Sequence, residues 1–378
     1  MKVYKKAILP IGFKANAIAS GIKRPGKLDL GMFYSDMPAK AACKFSANKI
    51  QAAHIKIDKR HIRVNKGYQT IIVNSGNANS FTGGQGERDA EEIVKTLAKF
   101  LAMNKERVLI ASTGIIGKRL PLTKIKEAIP GLVKGLSRGG VDKVKVAIMT
   151  TDTFAKEIAV KLRVGKRVIT VCGIAKGAGM IAPNLATMLV FIMTDANITQ
   201  GALNKALKIA VDNSFNCITV DGCMSTNDTV CILANGASGN NLIGTGKYFE
   251  VFLKALNIAC LELAKMIIND AEGATKFIRI KVDKAKSVAE AKKVALAIAN
   301  YNLFKAAMYG QNPNFGRIIA AVGSSGINVK EKDIKINVSP LHKKNIDIQV
   351  SLKRGNSTTT VYTSDLTPEY IKINAAYN

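Results

Sequence analysis

The chain has 378 residues, is 47% hydrophobic and carries a formal net charge of +29. That length fills one large or two medium cores, and no apolar run approaches the roughly 20 residues a membrane helix needs. The lysines are spread along the whole chain and aromatics make up only 6%. The charge is therefore read as a lysine-biased surface and not as a specific nucleic-acid site, whose basic residues would cluster.

In chain order, Lys2, Lys5 and Lys6 precede a short apolar stretch that Lys14 interrupts, with no small-residue cleavage site after it. A secretory signal is not expected, and the cytoplasm is the expected location. From Gly12 to Phe33, turn residues alternate with short apolar runs, which predicts β-hairpins. Tyr68 to Asn74 reads as a buried strand running into Ser75-Gly76-Asn77-Ala78-Asn79. Glu87 to Met103 places Ile93, Leu97 and Leu101 on one helical face. Arg107 to Ser112 is a strand that delivers Thr113-Gly114, and Leu122 to Leu136 is a helix despite Pro130. Strands are predicted at Lys145–Met149, Glu157–Leu162 and Lys166–Cys172, then at Met188–Met193, Cys217–Val220 and Val230–Leu233. Helices are predicted at Gln200–Phe215 and Lys247–Asn269, and Ser287-Val288-Ala289-Glu290 is a capping box opening another that ends near Asn300. Tyr309–Gly316 is a turn-rich loop, and a strand-rich end closes on Tyr370–Asn378. Hairpins are frequent among alternating strands and helices, so the fold class is α+β in layers rather than a doubly wound parallel sheet.

The six cysteines form no Cys-x-x-Cys pair and the three histidines lack a partner at metal-ligand spacing. Buried thiols, no disulfide, no metal site and no histidine-based triad follow. Gly177-Ala178-Gly179-Met180-Ile181-Ala182 fits the dinucleotide-loop pattern, but Pro183-Asn184 follows where a helix should open. Gly239 to Lys247 lacks the spacing of a phosphate loop. Neither is read as a nucleotide site.

The stretch from Gly173 to Met193 holds the chemistry. It passes from small residues through Pro183-Asn184 to Ala186-Thr187, and then into a wholly apolar run. A threonine hydroxyl is a poor nucleophile without a base, and this chain has almost no histidine to supply one. An N-terminal threonine solves the problem with its own α-amine, whose pKa of about 7.7–8 leaves a neutral fraction. That requires a cut at Ala186–Thr187. An acyl-transfer nucleophile also needs donors for the developing oxyanion, and Thr113-Gly114 at a strand end is a candidate supplier.

Taken together, the segment Lys176 to Leu189 (Lys-Gly-Ala-Gly-Met-Ile-Ala-Pro-Asn-Leu-Ala-Thr-Met-Leu) closely resembles the cleavage segment of the ornithine acetyltransferase (ArgJ) family. Ordered blocks resembling that family run along the chain: Gly12-Phe13-Lys14, Gly21-Ile22-Lys23, Asn74–Asn79, Ser112–Gly117 and Met149–Thr153. Further blocks are Asp221-Gly222, Asn227–Thr229, Glu272–Thr275, Asn312–Asn314 with Gly316-Arg317, and Tyr362-Thr363 with Asp365-Leu366. The resemblance implies the self-processing α/β sandwich shared with DmpA-type aminopeptidases. It further implies α (1–186) and β (187–378) chains that associate as α2β2, with no cofactor. Thr187 would carry acetyl from N2-acetyl-L-ornithine to L-glutamate, with Thr113 and Gly114 as the oxyanion hole and acetyl-CoA as a candidate co-substrate. Thr153, Lys176, Thr187, Glu272 and Asn374 match substrate-binding positions. The family pattern continues past the Asn374–Tyr377 block with Ser/Thr residues that also contact substrate, and here Asn378 stands in that place. The block that is usually Ala-Gly-Val-Phe reads Ala42-Cys43-Lys44-Phe45, a structural departure. The alternatives are an aminopeptidase or amidase of the same fold, in which water takes the acyl group, and a basic nucleic-acid-binding protein.

Overall fold

A computed structural model describes residues 1–64, 67–182 and 188–376. The chain folds as two compact, interleaved units: Met1–Gly177 with Asn184–Ser214 and Met224–Leu263, and Ala178–Pro183 with Phe215–Cys223 and Ala264–Asn378.

The first unit begins with β1 (Lys2–Tyr4), β2 (Phe13–Ile18) and the long β3 (Leu30–Phe45), then α1 (Ala53–Val64) and β4 (Tyr68–Asn77). It continues with α2 (Gly83–Phe100), β5 (Val108–Ile115), α3 (Leu122–Lys134), α4 (Val141–Ala147), β6 (Lys156–Val164) and β7 (Arg167–Lys176). After the undescribed segment come β8 (Leu189–Thr194), α5 (Gln200–Asp212), β9 (Thr229–Ala234) and α6 (Lys247–Asn269). The strands run in the order β1-β6-β7-β8-β9-β3-β4-β5, with β2 added on β3. The expected hairpin near the N-terminus is the antiparallel β2–β3 pair, Phe13 opposite Ser35 through Ile18 opposite Leu30.

Strand β3 serves two ladders in succession. Leu30 to Ala39 pairs with β4, and Lys40 to Phe45 pairs with β9. Pro38 lies within β3, inside the register shift that separates Tyr34 from Ala39; a residue with no N–H donor is tolerated where a ladder is already interrupted. The two parts of the sheet then face each other. Phe33 of β3 and Phe191 of β8 bring their rings to 5.9 Å, inside a core shared with Ile71, Leu109, Ile174 and Leu233. On the outer face of β3, β4 and β5, the apolar stripes of α1, α2 and α3 (Ile57, Ile93, Leu97, Ile125, Ile129) bury Ile72 and Ile110. Gly173 points away from the shared core, between Cys172 and Ile174 that point into it. A Cβ there would lie 2.9 Å from Leu263 Cδ1, so the missing side chain lets α6 close on β7. The α+β layered class is what the chain adopts.

The second unit is a four-stranded sheet in the order β11 (Lys335–Val338), β12 (Asn345–Ser351), β10 (Phe277–Ala285), β13 (Ser357–Ser364). Strict alternation gives it one apolar face, Ile278, Ile280, Val282, Ile346, Ile348 and Val350. That face buries α7 (Val288–Ala299), α8 (Asn302–Tyr309) and α9 (Gly316–Ser324) through Val294, Ile298, Phe304 and Ile318. The Ser287 cap forms, its hydroxyl accepting the Glu290 N–H at 3.1 Å, but the Glu290 carboxylate takes Arg354 at 2.9 Å instead of closing the box.

Three expectations are corrected. Lys145–Met149 belongs to α4 and the turn after it, not to a strand; Val141, Val144 and Ala147 bury one helical face, a period that the alternating Lys145-Val146 pair disguises. Cys217–Val220 is no strand: Phe215–Cys217 is a 3-10 turn and Ile218 makes a single bridge to Tyr362. The end of the chain is α10 (Pro368–Ala375), capped by Thr367, whose hydroxyl accepts the Tyr370 N–H. Pro at the first helical position was the signal. Helices α1, α8 and α9 were not anticipated either. All six cysteines are free thiols, and no helix among the described residues is long and apolar enough to cross a membrane.

Replacing Ser287 by Ala should cost about 1 kcal/mol, read as a lower denaturation midpoint. Ser287→Thr should retain most of it, since the oxygen that caps Glu290 remains.

Candidate active site

Strands β4 and β5 run parallel in register from Thr70 opposite Val108 to Gly76 opposite Gly114, and there the ladder breaks into a bulge. Gly114 has φ +132°. A Cβ on it would fall inside the Gly76 carbonyl carbon and the Asn77 nitrogen, so only glycine lets the strand end come this close to β4. Thr113, just before it, is buried. The strand end thus holds a buried hydroxyl beside the amide of Gly114.

Lys176, the last residue of β7, reaches this hydroxyl. Its ammonium donates to Thr150 Oγ1 at 2.7 Å and to Thr113 Oγ1 at 3.5 Å, and lies 3.9 Å from Asp152 Oδ2. Asp152 is a residue that the reading by motif passed over. Its Oδ1 accepts from Lys156 Nζ at 2.6 Å and from the Gly177 N–H at 2.7 Å, and its Oδ2 accepts from the Thr150 N–H. Burial opposes its charge, but Lys176 and Lys156 together outweigh burial and hold the carboxyl down at about 2. Thr153 follows Asp152 on the same turn and is exposed.

Strand β8 enters beside this group. The Met188 N–H donates to Asp228 Oδ1 at 2.9 Å, and the Met188 carbonyl accepts from the Thr229 N–H at 3.1 Å. Burial pushes the Asp228 carboxyl up to about 8, against the bond from Met188 that favours its ionised form. Its Oδ2 has no hydrogen-bond partner among the described residues. Next to it, Asn227 Nδ2 donates to the carbonyls of Ala78 at 2.6 Å and Ser112 at 2.8 Å. Ala186, Thr187 and Asn378 lie outside the described residues.

The second unit holds Glu272 and Asn374 together. Asn374 Nδ2 donates to Glu272 Oε2 at 2.9 Å, and the Glu272 N–H donates to the Ala178 carbonyl. The Glu272 carboxylate rests on Gly179, where a Cβ would overlap it. Asp221 shapes the chain just beyond, accepting from the N–H groups of Met180 at 2.6 Å and Ile181 at 3.0 Å and from the Tyr370 hydroxyl at 3.1 Å. No helix opens at 177–182, so the dinucleotide reading fails structurally as well. Among the described residues no cluster of His, Cys, Asp or Glu could hold a metal ion.

The sequence that carries these side chains matches a known family. The ArgJ family model covers residues 14–343 and 337–378. The chain belongs to the ArgJ family. Its relatives include the arginine biosynthesis bifunctional protein ArgJ of Geobacter sulfurreducens, 43% identical over 97% of this chain and 98% of that protein. ArgJ 1 of Clostridium acetobutylicum is 44% identical over 97% of this chain and 95% of that protein. Among solved structures, ornithine acetyltransferase complexed with ornithine from Mycobacterium tuberculosis is 32% identical, with a TM-score of 0.44, over 48% of this chain and 97% of that one.

Two predictions follow from the geometry of this ArgJ chain. Gly114→Ala should cost about 1–3 kcal/mol of stability, read as a denaturation midpoint lowered further than in Gly117→Ala, since Gly117 has a positive φ but open space around its Cβ position. Asp152 is held below its unfolded value of about 3.9, so its contribution to stability is present above that pH and is lost as pH falls through about 2. Lys176→Met raises the Asp152 pKa, and thermal melts between pH 2 and 5 should show the acid loss beginning at higher pH than in the unaltered chain.

Proposed function

We propose that this chain is an ornithine acetyltransferase that moves acetyl from N2-acetyl-L-ornithine to L-glutamate in arginine biosynthesis. The observation that carries the reading is the near full-length identity with bifunctional ArgJ proteins, 43% over 97% of the chain. The chain cuts itself between Ala186 and Thr187, and the α (1–186) and β (187–378) products assemble as α2β2 in the cytoplasm without a cofactor.

In the proposed cycle the Thr187 hydroxyl attacks the acetyl carbonyl while the α-amine of the same residue takes the hydroxyl proton. Thr113 and the Gly114 N–H stabilise the tetrahedral oxyanion, a contribution of about 10²–10³ in rate for one such donor. The C–N bond then breaks, the proton passes to the departing ornithine amine, and acetyl-Thr187 remains. The glutamate amine attacks that ester, and the hydroxyl is regenerated. Lys176 suits a substrate carboxylate, and the Glu272–Asn374 pair suits an amino group, through charge-assisted hydrogen bonds. Thr153 and Asn378 complete the proposed substrate contacts. Acetyl-CoA is a second donor in this proposal, delivering acetyl to the same threonine.

Gel electrophoresis of the purified protein should show two bands of nearly equal size in place of the 40.5 kDa chain, and Thr187→Ala should stay uncut and inactive. Ornithine release from acetylornithine should depend on glutamate. Release at the same rate without glutamate would turn the reading to an amidase. N-acetylglutamate formed from acetyl-CoA and glutamate in a coupled assay establishes the second donor, and its absence restricts the enzyme to acetylornithine.

A further inference from the structure

The side chains of the loop before β9 make three bonds to main-chain groups that a polar surface loop has no need of. Asn227 and Asp228 are both buried, neighbours in sequence, and their side chains point in different directions to different strands. Asn227 spends both amide protons on carbonyls, one of them that of Ser112, whose peptide bond leads into Thr113. Asp228 spends one oxygen on the N–H of Met188, the residue after Thr187. The backbone of the same loop is itself fixed: His54 Nε2 lies 3.1 Å from the Asn227 carbonyl, the Ser46 N–H donates to the Asp228 carbonyl, and the Thr229 N–H donates to the Met188 carbonyl. The Thr226 hydroxyl donates to Asn227 Oδ1 at 2.6 Å and in turn accepts from Ser80, which orients the amide so that its NH2 faces Ser112.

Strands β5 and β8 are not neighbours in the sheet. Between them in the order stand β9, β3 and β4, so no ladder sets the distance between the end of one and the beginning of the other. We propose that Asn227 and Asp228 form a positioning pair that fixes the peptide entering the oxyanion hole and the peptide leaving the nucleophile as one rigid piece. The inference rests on the acetyl-transfer reading given above and adds two residues to it. Neither residue touches the substrate. They act through Thr113 and Met188, and a displacement of about 1 Å between an attacking atom and the groups that stabilise its product costs about 10²-fold in rate.

The test compares Asp228→Ala, Asp228→Asn and Asn227→Ala with the unaltered full-length protein, measuring the extent of self-cutting, the melting midpoint, and kcat and KM for acetylornithine with glutamate. Asparagine at 228 keeps an oxygen for the Met188 N–H, whereas alanine does not. Asp228→Ala and Asn227→Ala should lose about 10²-fold in kcat with KM within about threefold, and Asp228→Asn should recover at least tenfold over Asp228→Ala. A fall in melting midpoint with kcat unchanged in both alanine variants assigns the pair a structural role only and overturns the proposal, as does a change confined to KM. Should an alanine variant not fold, Asn227→Asp keeps the volume of the side chain and removes both donated bonds. Loss of kcat in that variant supports the proposal and an unchanged kcat overturns it. If the unaltered protein transfers no acetyl, the functional reading fails by itself, and positioning is then judged on self-cutting: slower cutting in the alanine variants than in Asp228→Asn supports it, equal cutting in all of them overturns it.

Discussion

A carboxylate closed off from water, Asp152, is the interaction on which the first unit's chemistry depends. Its side chain and that of Lys156 are both fully buried and meet at 2.6 Å. An isolated charge at that depth would be neutralised or would cost several kcal/mol. Asp152 stays ionised because two ammonium groups and two backbone N–H groups converge on it. The consequence reaches beyond stability. Holding the Gly177 N–H pins the end of β7, and the carboxylate lies 3.9 Å from Lys176 Nζ, which also meets the hydroxyls of Thr150 and Thr113. A lysine on a flexible stem thereby acquires a single address, next to the strand end that would receive negative charge.

Sheet topology explains why the other pieces arrive at the same place. Strand β7 ends at Lys176, and β8, antiparallel to it, begins opposite that residue at Leu189. Strand β9 runs parallel to β8 and begins at Thr229, opposite Leu189. The loop Ser225–Asp228 that leads into β9 is therefore delivered to the end of the sheet where β7 finishes. Strand β5 reaches the same loop from the other part of the sandwich, through the bond of Asn227 to the Ser112 carbonyl. The long β3 makes this possible by leaving one ladder for another near Pro38.

Much of this was legible in the residues, and what was not has definite causes. The strand leading to Thr113-Gly114 and the strand leading to Lys176 announce themselves as apolar runs that end in small or polar residues, and Ser287 announces its helix. Lys145–Met149 misled because a short amphipathic helix and a strand share an apolar–polar alternation over so few residues. The α10 helix was hidden by Tyr370-Ile371-Lys372-Ile373, which alternates like a strand, although Thr367-Pro368 marks a helix start. Asp152 and the pair Asn227–Asp228 sit in motifs whose types suggest a site, yet their roles also depend on distant partners, such as Gly177, 25 residues from Asp152, and Ala78, 149 residues from Asn227. No spacing rule reveals a bond from Asn227 to Ser112. Glu272 and Asn374, which the family resemblance named separately, are brought to 2.9 Å by the turn after α6 and the last turn of α10.

The order of strands also bears on what a cut before Thr187 does to the fold. A chain ending at Ala186 carries β1 to β7, and a chain starting at Thr187 carries β8 and everything after it. In the sheet, however, β8 and β9 lie between β7 on one side and β3 on the other. After such a cut the second chain's two strands would be bonded along both edges by strands of the first, through the β7–β8 and β3–β9 ladders, and every residue of β8 and β9 is buried. Without them the first chain would present two long apolar strand edges to water, a state that invites aggregation rather than folding. Separating the products would break the β7–β8 and β3–β9 ladders together and expose Phe191, Ile192 and Leu233, each of which is worth about 1.5–3 kcal/mol when buried. Cutting the chain at this point can thus free an amine at Thr187 while leaving the sheet intact, because the covalent link is replaced by two ladders that were already formed.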